Sequence, residues 1–151
     1  MQPASGPRAE LFLAESAQVA DGKLFVLGGG WQMTQALPIP TIIAIAGIIR
    51  IPWDDTNRQF SWLIELLDSN GANVTMPTPM GDQPYRIEGP FQGPRPAGGP
   101  RGTEFQAPFA VSIVRPPLAP GRYEYRVTVG GSLTHLPFDV LAPPGGPVQP
   151  A

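Results

Sequence analysis

Along most of this chain apolar and polar residues alternate with a period near two. β-Branched and aromatic side chains fill the apolar positions and turn residues sit at the ends, a pattern that predicts strands. Residues 11–19 and 23–27 flank Asp21-Gly22, a dipeptide suited to a tight hairpin because its glycine tolerates positive φ. Residues 41–51, TIIAIAGIIRI, are apolar at nearly every position. Such a strand needs cover on both faces, at the centre of a sheet or beneath a long loop. Residues 59–68, QFSWLIELLD, run into Ser69-Asn70-Gly71. A helix over 62–67 is the alternative there, but no capping box precedes it and Asn-Gly follows directly, which favours a strand. In the second half, residues 104–114 predict a strand interrupted at Pro108. Residues 121–129 place Tyr123, Tyr125, Val127 and Val129 in one phase against Arg122, Glu124, Arg126 and Thr128 in the other, as a half-buried antiparallel strand requires. Gly130-Gly131 turns the chain into a closing strand over 133–140 with Leu136, Phe138 and Val140 in phase. About eight short strands without a convincing helix predict an all-β antiparallel sandwich, since one amphipathic sheet must bury its face against a second.

Proline and glycine, 21 and 18 of the 151 residues, punctuate this pattern in three clusters. Two are terminal, and residues 1–8 and 142–151 read as flexible tails around a single domain over 9–141. The third makes residues 76–102 a long Pro/Gly-rich loop. Its core, GPFQGPRPAGGP over 89–100, cannot form a helix or an inner strand, because proline lacks the amide donor and glycine is costly to order. A chain of 151 residues buries roughly 70% of its unfolded surface, so a core forms without disulfide or metal staples.

Two resemblances refine the reading. Leu118, Pro120, Gly121, Tyr123, Tyr125, Val127 and Val129 form a pattern that resembles the penultimate strand of immunoglobulin-like and fibronectin-type sandwiches. The resemblance implies that the first tyrosine, here Tyr123, hydrogen-bonds back to the preceding corner, because a buried phenol must place its hydroxyl somewhere. The cysteine and tryptophan arrangement of antibody domains is absent. Over a longer span, AESAQVADGKLFVLGGGW at 14–31, followed by the Trp62 strand and the Pro-Gly-Arg-Tyr strand, resembles a bacterial family of small, functionally uncharacterised single-domain proteins. That likeness covers about residues 10–141 and implies no substrate and no catalytic residue.

Composition excludes more than it suggests. With no cysteine and only His135, a transition-metal centre lacks its ligands, and neither a metal nor a cofactor is expected. Net charge is −2, and nine of the ten basic residues are arginines scattered from Arg8 to Arg126. Nucleic-acid binding needs clustered cations and is not expected. No apolar stretch approaches the ~20 residues that span a membrane as a helix, and residues 1–9 carry no basic leader region. The expected location is cytoplasmic.

Candidate chemistry is correspondingly thin. Gly28-Gly29-Gly30 lacks the Gly-Lys-Ser/Thr that a phosphate loop needs and reads as a bulge or crossing with Trp31 packed over it. His135 has no Gly-x-Ser-x-Gly partner and reads as an outward polar residue. Asp54, Asp55 and Asn57, with Asp82 from another loop, offer the hard oxygens that Ca²⁺ prefers, yet are ordinary turn formers. No enzyme is expected. The leading function is a non-catalytic protein-interaction or structural module presenting Arg86, Phe91, Arg95 and Arg101 from the 76–102 loop, since arginine with aromatics is the composition of binding hot spots. Only Lys23 guards a sheet edge with a lysine, which favours a homo-oligomer. The alternative is a small-ligand or carbohydrate-binding sandwich, Ca-dependent in one form, with Trp31 or Trp53 stacking on an apolar face and Asp54 or Asp55 bonding hydroxyls.

Overall fold

The computed structural model describes residues 6–93, 95 and 97–142. Two sheets face each other across one apolar core. The first sheet contains β1 (Arg8–Ala14), β5 (Thr41–Ile51) and β10 (Phe105–Arg115) in the order β1-β5-β10. The second has the order β4-β12-β11-β6-β9, built from β4 (Met33–Gln35), β6 (Gln59–Asp68), β9 (Arg86–Gln92), β11 (Gly121–Val129) and β12 (Ser132–Leu141). All pairings are antiparallel except that of β4 with β12. Ile43, Ile45, Ile49 and Ile51 of β5 pack against Ile64 and Leu66 of β6, Tyr125, Val127 and Val129 of β11, and Leu136, Phe138 and Val140 of β12. The fold is thus all-β and sandwich-like, as the alternation predicts.

β5 is covered on both faces, and the manner of covering is specific. Its second face carries Ala44 and Ala46, both fully buried, aligned with Phe12 and Ala14 of β1 and with Ala110 and Ser112 of β10. A hairpin of β2 (Ser16–Ala20) and β3 (Lys23–Leu27) packs against β5 and β10, and the small side chains let it approach closely. Its turn is Asp21-Gly22, with φ of 52° and 69°, the positive pair that a two-residue hairpin turn demands. The expected first arm, residues 11–19, is in fact two strands. At Glu15 the amide leaves the first sheet and donates to the carbonyls of Leu27 and Gly28 at 3.1 and 3.2 Å, so β1 pairs with β5 while β2 pairs with β3. Gly47 lies where β1 crosses closest: a Cβ there would collide with the Glu10 carbonyl oxygen.

The proline-rich segments differ most from expectation. Residues 76–102 are not one loop. β7 (Thr75–Thr78) and β8 (Gly81–Pro84) form a hairpin, and β9 joins the second sheet against β6. Pro90 is accommodated because β9 is the edge strand, the position at which a missing amide donor is tolerated. Pro108 likewise fails to interrupt β10, itself the edge of the first sheet. β7, β8 and β9, with β4 and the division of residues 11–19, bring the described strands to twelve rather than about eight. Of the expected tails, residues 1–5 and 143–151 lie outside the described residues, whereas Pro7 is already buried and Arg8 opens β1.

The corner before β11 forms as its sequence implies. The Tyr123 hydroxyl donates to the Ala119 carbonyl at 2.9 Å, and its ring stacks on Phe138 with centroids 5.9 Å apart. Tyr123→Phe removes that bond while keeping the ring, so we expect a loss of about 1 kcal/mol. In urea unfolding this should appear as a lower midpoint with an unchanged slope; an unshifted midpoint would show the corner bond to be neutral.

Candidate functional site

The residues expected to contact a partner do not converge. Arg86 is exposed on β9 beside Glu88. Phe91, five residues along the same strand, turns inward and packs edge-on to Phe109 at 6.3 Å. Arg95 lies over the Trp53 ring at 4.1 Å and donates to the Trp53 carbonyl and the Thr56 hydroxyl at 2.9 and 2.8 Å. That geometry makes Arg95 and Trp53 a mutual clamp on the turn after β5, with Asn57 Oδ1 accepting from the Arg95 amide at 2.9 Å. Arg101 is exposed.

Trp53, Asp54 and Asp55 form a single 3₁₀ turn. Asp55 is buried and pairs with Arg58 at 2.8 Å, so its charge is already engaged, while Asp54 is exposed. Trp31 belongs to the other end of the molecule, beside the first residues of β5, whereas Trp53 follows its last; an extended run of that length separates them by roughly 30 Å. Among the described residues no group of three or more His, Asp or Glu is placed to hold a metal ion. His135 is exposed on the outer face of β12, with Nδ1 2.7 Å from Glu124.

What the fold does assemble is a pocket at the mouth of the sandwich, where the start of β5 and the end of β10 meet β4. It measures about 340 Å³ and is lined by Trp31, Leu37, Ile42 and Ile43, with Glu15 at its edge and Arg115 against its inner side. β10 sends its odd-numbered side chains inward: Ala107, Phe109 and Ile113 are core, and Arg115, next in phase, is 1% exposed. Arg115 spans the gap between the sheets. Nε donates to the Thr41 hydroxyl on β5 and Nη2 to the Gln35 carbonyl on β4, both at 3.2 Å. Nη1 is buried and has no partner among the described residues. No carboxylate among the described residues lies within ion-pair distance of it. Burying a guanidinium is expensive unless an anion answers it, and arginine cannot escape by losing its proton.

Behind the pocket runs an aromatic series. Trp31 meets Phe138 edge-on at 5.6 Å, Phe138 stacks on Tyr125 at 5.3 Å, and Tyr125 meets Tyr85 at 5.9 Å. The Tyr85 hydroxyl donates to the Val114 carbonyl at 2.8 Å, whereas the Tyr125 hydroxyl is buried without a partner. Burial pushes the Tyr85 phenol up to about 12. The Tyr125 phenol rises well above its ordinary value, chiefly through burial and then through Tyr85 beside it, with the Arg115 charge opposing the rise. Sequence reasoning found Trp31 but missed Arg115, although the inward phase of Phe105, Ala107, Phe109, Val111 and Ile113 extends directly to it.

Fold and pocket together define an all-β protein of two facing sheets with a cavity that sets a buried arginine beside apolar side chains, and no metal-binding cluster among its described residues. The chain belongs to a family described as a family of unknown function, DUF6941, whose match covers residues 10–141. No curated protein matches the chain. Among the described residues no helix is long and apolar enough to cross a membrane.

The two raised phenols carry a pH dependence. Both stay protonated in the fold where tyrosines of the unfolded chain ionise, so their contribution is intact below about pH 10 and is lost as the pH climbs toward 12. Melting temperature measured across that window should fall, and fall less steeply in Tyr125→Phe, which also removes an unsatisfied hydroxyl. Identical slopes in the two proteins would contradict this.

Proposed function

We propose that this protein is a non-catalytic, cytoplasmic binding module that takes a small ligand in the pocket between β4 and β5. The observation that carries the reading is Arg115, a fully buried cation without a carboxylate partner at the side of an apolar-rimmed cavity. A polar group held at such cost is characteristic of a binding site, because stability is given up there for function. The cavity sets the apolar side chains of Trp31, Met33, Leu37, Ile42 and Ile43 beside the polar ones of Glu15, Thr34, Thr41 and Arg115, which can fix a ligand's orientation. The proposed protein-contact residues offer less, since Phe91 packs inward and the exposed Arg95 is held against the Trp53 turn. Thermal unfolding across a panel of small anionic, neutral and cationic organic compounds tests the reading. A true ligand at about 100 times its Kd adds about 2.7 kcal/mol, several degrees in Tm for a chain of this size. A panel without any shift would remove the ligand reading.

Self-association is a second reading, favoured by the hairpin that covers β5. Its outward positions include Phe25 and Leu27, which are 52 and 70% exposed, an apolar pair turned to water on one face of the ribbon. Light scattering after size-exclusion should give a dimer or larger species at micromolar concentration, and Phe25→Ser with Leu27→Ser should return it to a monomer. A monomer in the unaltered protein would remove this reading.

A further inference from the structure

The chemistry of the ligand follows from the charges around the pocket, an inference that rests on the cavity being a ligand site. We propose that it takes a small monocarboxylate with an apolar body, the carboxylate meeting the Arg115 guanidinium and the body lying against Trp31, Leu37, Ile42 and Ile43. The buried cation selects the head group. Arg115 and Glu15 are the ionisable residues lining the cavity, so any anion meets Glu15 as well as Arg115, and a singly charged carboxylate meets less repulsion there than a doubly charged phosphate ester. A carboxylate carries one charge, and one of its oxygens can accept a charge-assisted bond from a guanidinium nitrogen. Two of its nitrogens are already engaged with Thr41 and Gln35, and Nη1 remains without a partner.

The walls select the rest of the molecule. Beyond the two ionisable groups, the polar side chains are those of Thr34 and Thr41, against Trp31, Met33, Leu37, Ile42 and Ile43. An alkyl or aryl body needs no polar partner and suits the wall formed by Trp31, Leu37, Ile42 and Ile43. A volume of about 340 Å³ is at the small end for ligand sites, which run from roughly 300 to 1,000 Å³. Met33, Leu37 and Ile42, which line the cavity, are 64, 38 and 64% exposed, so this part of its wall faces solvent.

Calorimetry on the full chain with hexanoate, hexanamide and hexylamine tests this, with inorganic phosphate as a further probe. Hexanoate should bind, and hexanamide, of the same shape without the charge, should bind about tenfold or more weakly. Arg115→Met should abolish the preference for hexanoate while melting, without ligand, at or above the temperature of the unaltered protein, because an unpaired buried charge is gone. Glu15→Gln should tighten hexanoate binding. Should Arg115→Met fail to fold, Ile42→Glu decides instead: it places a carboxylate at an exposed rim position and should lose hexanoate with its melting temperature retained. Equal binding of hexanamide and hexanoate would overturn the carboxylate while leaving a ligand site; so would stronger binding of phosphate than of hexanoate. Undiminished hexanoate affinity in the Arg115 variant would overturn it too, and silence with every probe would remove both the carboxylate and the site.

Discussion

The constraint on which this fold depends is that β5 has no polar side to give to water. From Ile43 to Ile49 every position but one is fully or nearly fully buried, so the strand requires a layer on each face. The five-stranded sheet supplies one. The other is supplied from within the same chain, by a hairpin that leaves the first sheet at Glu15 and returns across the alanines of β5. Alternating Ile and Ala therefore sorts the two neighbours by distance: branched side chains interdigitate with a full sheet, and methyl groups admit a backbone at close range.

Placing β5 in this way also determines where chemistry can occur. Its last residues run into the Trp53 turn, closed by Arg95, where the buried Asp55 is paired with Arg58. Its first residues lie at the opposite end, beside β4, the three-residue strand that alone runs parallel to its neighbour. There the layers are held apart by an arginine rather than by another isoleucine. A hydrophobic residue at 115 would fill that corner more cheaply, and the guanidinium instead leaves one donor unanswered. The same corner holds the Tyr125 hydroxyl, so the two unsatisfied buried side-chain groups of the described residues both belong to this end of the core.

Local signals in the sequence proved reliable where the structure is itself locally determined. Asp21-Gly22 and Gly130-Gly131 turn with positive φ at both positions, Asp68 Oδ1 accepts from the amides of Asn70 and Ala72 to close the Asn-Gly turn, and the Tyr123 bond closes the corner before β11. Misreadings arose where neighbours in space decide. Pro90 and Pro108 look like breaks until their strands are known to be edges, and the division of residues 11–19 depends on β5 taking up one half. Arg115 was legible as an inward position, but its lack of an acidic partner was not, because that depends on which carboxylates the topology leaves elsewhere. Phe91 packs inward against Phe109, while Arg95 is exposed and lies over Trp53.

The two edge prolines have a consequence for how copies of this molecule can meet. An edge strand recruits another chain by offering an unbroken row of amides and carbonyls, and in β9 and β10 that row is missing a donor midway. Extension of either sheet by a foreign strand is therefore disfavoured along these borders despite a single lysine in the whole chain, and the molecule resists fibrous growth there by backbone chemistry instead of by charge.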